Sequence, residues 1–166
     1  MSIQLRQMAT VFLSNGSDWL LMKRADTRAL APGMWAGVGG HLEPAEVSQP
    51  EICALRETEE ETGIHRSQIR NLRLQAILHR RRDHEIRLQY LYVGQVENRE
   101  FRNTEEGILH WVPRSEVLGK SMAPSTRVFM ERYLTSGPTE EIWVGTLGNR
   151  DAEPYIQRAT LEDWEP

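Results

Sequence analysis

The 166-residue chain carries a single cysteine, Cys53, which rules out an internal disulfide framework and fits a reducing compartment. No stretch approaches the ~20 apolar residues of a membrane span, and the opening MSIQLRQMAT has no apolar core of signal-peptide length. The expected location is therefore the cytoplasm, with no membrane partner. Neither sign of charge prevails. Twenty Lys and Arg against twenty-four Asp and Glu leave a net charge of −4, so no global basic surface invites nucleic acid, and a polyanionic ligand has to be met locally. Internal repeats, low-complexity tracts and Gly/Pro-rich linkers are missing as well. One domain over residues 1–148 with a polar tail over 149–166 is the expectation, as a monomer or a homodimer.

With 39% hydrophobic residues, the chain is long enough to bury a core without staples. Leu5 to Leu13 predicts a strand, Asn15 to Asp18 a turn, and Trp19 to Lys23 an antiparallel return. Breakers from Ala25 to Gly33 predict a loop into Trp35 to Val38, where Gly39-Gly40 asks for a backbone that bulkier residues resist. Pro50 at a first turn and Gly63 as a stop predict a helix from Pro50 to Thr62, with Ser48 or Gln49 as cap. Strands follow at Leu72 to His79 and Ile86 to Val96, joined by a charged tip, Arg80 to Glu85. Further on come a strand at Ile108 to Val112, helices at Pro113 to Leu118 and Pro124 to Thr135, and a last strand at Ile142 to Leu147. Hairpins mixed with an early and a late helix argue for an α/β sandwich on a mixed sheet.

Chemistry concentrates in the early helix. At ~100° per residue, Glu57, Glu60 and Glu61 fall on one face, where like charges repel unless something positive sits there. A hard divalent cation, Mg²⁺ above all, takes oxygen ligands and is commonly completed by substrate phosphates. Arg56 can pair with Glu46 or orient a ligand carboxylate. The plain alternative for such a run of glutamates is a solvated helix face.

Gly40, Glu46, Arg56, Glu57, Glu60, Glu61, Gly63 and Ile64 resemble the signature of the Nudix hydrolases, and the flanks resemble their MutT-like nucleoside triphosphate branch. Two departures stand out: nine residues separate Glu46 from Arg56 where the family has seven, and Thr58 stands where an aliphatic residue is preferred. The resemblance implies a Nudix α/β/α sandwich that cleaves a diphosphate linkage in a nucleoside triphosphate or other nucleoside diphosphate derivative. It implies Mg²⁺ or Mn²⁺ held by Glu57, Glu60, Glu61 and the Gly39 carbonyl. The general base would come from Glu60 in the box or from Glu106 in the later loop, with Arg56 as a further catalytic candidate.

The alternatives are a non-nucleotide diphosphate, which would need no base-stacking aromatic, and a catalytically silent nucleotide sensor. The latter is weakened because every acidic position of the signature is filled. Lys23, Arg24, Gly40 and Arg81 are candidates to meet substrate, with Trp35 as a stacking ring and Trp111 and Tyr90 as weaker ones. By resemblance, the positions that read an oxidised purine are Ala36, Ala123, Ser125 and Thr126, and because alanine cannot make a bidentate polar readout, oxidised guanine is not the expected base.

Overall fold

The computed structural model describes residues 2–27, 31–150 and 153–160. Strand β1 (Gln4–Asn15) turns at Gly16, which adopts φ 58°, into β2 (Asp18–Arg24), with Leu13 opposite Leu20. Two short strands follow, β3 (Trp35–Ala36) on β2 and β4 (Val38–His41) antiparallel to β1. Helix α1 (Pro50–Thr62) covers β1 and β4 and ends at Gly63, whose φ of 74° supplies the left-handed cap that lets its N–H reach the Glu59 carbonyl.

A long hairpin, β5 (Ile69–Arg82) and β6 (Glu85–Val96), sets β6 parallel to β1 in unbroken register from Gln4↔Glu85 to Ser14↔Gln95. Strand β7 (Gly107–Pro113) pairs with β2, followed by α2 (Arg114–Val117) and α3 (Pro124–Ser136). Strand β8 (Trp143–Arg150) lies parallel to β5, with β9 (Glu153–Thr160) antiparallel outside it. The sheet is therefore mixed, as expected.

Period-two alternation sends β1 side chains to two cores. Ala9, Val11 and Leu13 pack with Cys53 and Ala54 beneath α1. Phe12 faces the other way, stacked on Phe129 of α3 at 5.2 Å between ring centres, in a cluster with Leu21, Leu91 and Trp143. This gives the α/β/α layering. Thr58, the polar departure in the signature, is fully buried yet donates its hydroxyl to the Ala54 carbonyl at 2.7 Å, so the helix itself satisfies it.

Two local expectations are corrected. The basic stretch is not a tip: β5 runs on to Arg82, and the turn is only Asp83-His84, with Asp83 at φ 53°, a conformation aspartate tolerates. Residues 153–160 do not trail over the surface as a polar tail. They form β9, because backbone pairing with β8 and the packing of Ile156 against the core compensate for a weak hydrophobic pattern. The rest of that tail, residues 151–152 and 161–166, lies outside the described residues.

Candidate active site

Gly39 and Gly40 run beneath α1, paired with Thr10 and Ala9 of β1. A Cβ on Gly39, at φ 150°, would stand 2.0 Å from the Ala9 carbonyl oxygen, and one on Gly40 would stand 2.4 Å from a Glu57 carboxylate oxygen. Only glycine lets the helix carboxylates come this close to the strand. The Gly39 N–H donates to Glu61 Oε2 at 2.9 Å.

Arg56 is the hub. Its Nε and Nη2 donate to the two oxygens of Glu46 at 2.8 and 2.9 Å, and its Nη1 donates to Glu57 at 2.8 Å and to Glu60 at 3.1 Å. Nη2 also reaches the His41 carbonyl at 3.2 Å. The longer spacer leaves this pairing intact: a 3₁₀ turn, Pro44–Glu46, presents Glu46, which accepts the Glu43 N–H at 2.8 Å. Hydrogen bonds from Arg56 hold Glu46 well down, at about 2. Burial pushes the Glu57 carboxyl up, and burial with the nearby charges of Glu57 and Glu106 pushes Glu61 up to about 7. Under the same helix, burial drives the Cys53 thiol up to about 12.

The expected glutamate face is thus graded: Glu61 is buried, Glu57 is intermediate and Glu60 is exposed. Part of the positive charge its repulsion calls for comes from Arg56. The charges of Glu57 and Glu106 still disfavour the charged form of Glu61, and all three offer oxygen donors, so donor chemistry and charge fit a hard divalent cation. Among the described residues no three acidic, imidazole or thiol groups are gathered at ligating spacing, and Arg56 engages both Glu57 and Glu60.

A cleft of about 690 Å³ opens here, lined by the carboxylates Glu57, Glu61 and Glu106 together with Arg6, Arg24, His41 and Arg87. Burial, then the Arg6 and Arg87 charges, hold His41 below the ordinary imidazole range. Glu106 reaches the cleft because β7 begins beside the end of β2, where the Ala25 N–H donates to the Glu106 carbonyl at 3.0 Å.

Past Gly39, Arg24 and Arg87 a second pocket continues between the sheet and the start of α3, lined by Thr10, Leu78 and Gln89 together with Ala36, Ala123, Ser125 and Thr126. The four positions tied to purine readout therefore do meet, as small side chains. Gln89 donates to Thr10 Oγ1 at 3.0 Å.

Of the predicted site residues, Arg24, Gly39, Gly40, Arg56, Glu57, Glu61 and Glu106 come together around the cleft. Glu60 joins them only through Arg56. Lys23, Trp35 and Arg81 line neither hollow. Lys120 lies 5.0 Å over the Trp35 ring, Arg99 covers Trp111 at 4.9 Å, and Tyr90 donates to Gln7 at 2.9 Å, so all three rings have protein partners. Arg6, Arg87 and Gln89 escaped the sequence reading. Their signal is the β1/β6 register, which no local pattern reveals.

A carboxylate helix docked on a glycine-bearing strand, above a mixed sheet with a helix on its other face, is the architecture of the Nudix fold. The NUDIX domain model matches residues 4–133, and the chain belongs to that family as a Nudix pyrophosphohydrolase, a class that generally uses divalent metals. A mutator MutT protein from Bacillus halodurans superposes with a TM-score of 0.73 at 21% identity, over 92% of this chain and 97% of that one. A MutT Nudix hydrolase from Burkholderia pseudomallei gives 0.64 at 24% identity, over 77% and 97%. The NUDIX domain of NrtR from Shewanella oneidensis, in complex with ADP ribose, gives 0.61 at 16% identity, over 80% and 86%. These likenesses speak for the fold. No helix among the described residues is long and apolar enough to cross a membrane.

Proposed function

We propose that the chain hydrolyses a diphosphate linkage in a nucleoside triphosphate or other nucleoside diphosphate derivative, using Mg²⁺ or Mn²⁺. The observation that carries this is one cleft lined by both carboxylates and arginines, leading into a pocket for an organic group. Glu57, Glu60, Glu61 and the Gly39 carbonyl would hold the metal, which neutralises the diphosphate and lowers the pKa of the attacking water. Arg56 fixes the orientation of Glu57 and Glu60. Glu106 is the better base, since it faces the cleft beside Glu61 while Glu60 is exposed and engaged by Arg56. Arg24 and Gly40 flank the diphosphate. Nucleotide-pool sanitation is the fitting role, although the small residues at 36, 123, 125 and 126 speak against oxidised guanine as the base. The ADP-ribose complex of the NrtR domain supports a nucleotide derivative.

One observation favours a second reading. Among the described residues no Phe, Tyr or Trp lines the second pocket, which suits a non-nucleotide diphosphate such as an isoprenoid or phosphosugar. Phosphate and pyrophosphate release with Mg²⁺ across nucleoside triphosphates, nucleotide sugars, dinucleoside polyphosphates and non-nucleotide diphosphates decides between them. Turnover of one nucleotide class, lost in Glu106→Gln, is the expected result. Turnover of only non-nucleotide members moves the function to the second reading, and metal binding without any turnover leaves a sensor.

A further inference from the structure

The strand register sets three arginines side by side. Arg6 of β1 is the partner of Arg87 in β6, and Arg87 is the partner of Arg80 in β5. Partners across a ladder share a face, so the row lies on the face that, further along, carries Phe12, Leu91 and Ala76. Like charges directly opposite one another destabilise a sheet. Glu85 offsets two of them, through an ion pair with Arg6 at 2.5 Å and another with Arg87. Arg87 Nη1 is nevertheless shut off from solvent with no hydrogen-bond acceptor, an arrangement that costs stability. Arg6 lines the acid-walled cleft, Arg80 the second pocket and Arg87 both, so the row bridges the two. A merely solvated basic patch would explain neither the enclosed, unanswered N–H nor that bridging position.

The geometry points to an anion subsite: the row Arg6–Arg87–Arg80 holds a phosphoryl group of the substrate beyond the diphosphate handled by the α1 carboxylates. The guanidinium fork matches phosphate oxygens. This inference rests on the hydrolase reading above and adds that the substrate carries a further phosphate. That group is either the next unit of a triphosphate chain or a phosphomonoester on the organic part.

Calorimetric titration of inorganic tripolyphosphate into the full chain, in chelator and at low salt, reads the subsite without turnover. Binding by the wild type, weakened about tenfold in Arg87→Met and less in Arg87→Lys, is expected. Arg6→Met, at the open end of the row, is expected to weaken it about threefold and carries the test if Arg87→Met does not fold. In turnover, Arg87→Met raises KM with kcat within twofold only for substrates with the extra phosphate. A shift on nucleoside triphosphates identifies the chain phosphate, and one on a nucleoside diphosphate sugar bearing a ribose 2′-phosphate identifies the monoester. Equal tripolyphosphate affinity in wild type and folded variants overturns the subsite, as does a KM shift equal across all substrates. Arg87-dependent tripolyphosphate binding without turnover of any substrate retains the subsite and sinks the hydrolase reading instead.

Discussion

Glu46, Glu57 and Glu60, the carboxylates gathered on Arg56, come from one turn and one helix, whereas the second pocket takes Thr10, Leu78, Gln89, Ala123 and Leu147 from five separate places along the chain. Around Arg56, hydrogen bonds between near neighbours in sequence fix each carboxylate. In the pocket, distant strands fix the shape, and its small and apolar side chains are held by packing. The difference implies a division of labour: the carboxylates, Glu106 included, act on every substrate alike, and pocket residues choose among substrates.

The sharpest way to break that comparison is Glu106→Gln, expected to lower kcat by about 10³-fold on every substrate without changing their ranking. A changed ranking would mean that base and pocket are not separate. Arg56→Met strands Glu46 and its neighbours without a cation, and equilibrium denaturation at neutral pH should show a loss of about 3 kcal/mol. Arg56 holds Glu46 at about 2, against an ordinary 4.5, so the stabilisation is complete above pH 4.5 and drains away as pH falls towards 2. Melting temperatures of variant and wild type should therefore converge across that interval. Gln89→Leu is expected to shift KM for the preferred substrate about tenfold with kcat within twofold, measured against the least favoured substrate. Lys23→Ala and Arg81→Ala, outside both hollows, should leave kcat/KM within about twofold and stability within about 0.5 kcal/mol.

The same contrast governs what could be read from the sequence. Pro50 and Gly63 marked both ends of α1, and the signature placed Glu46 opposite Arg56 in spite of its longer spacer, because caps and i,i+4 spacing are local chemistry. Arg81 and Arg80 looked alike as letters in a basic run. Only the register of β5 against β6 puts Arg80 on the pocket face beside Arg87. Trp35 looked available for stacking until the fold laid Lys120 across its ring. Strand β9 was illegible for the same reason: its partner, β8, supplies most of its order.

Cys53 gives this architecture a built-in clock. Its thiol is fully buried between α1 and the Gly40 carbonyl, 3.7 Å from Arg56 Nη2, and so far above its ordinary pKa that hardly any thiolate exists near neutrality. An alkylating reagent can modify it only when α1 lifts off the strands. As the only cysteine in the chain, its labelling rate counts how often α1 undocks, with no probe to introduce and no background to subtract.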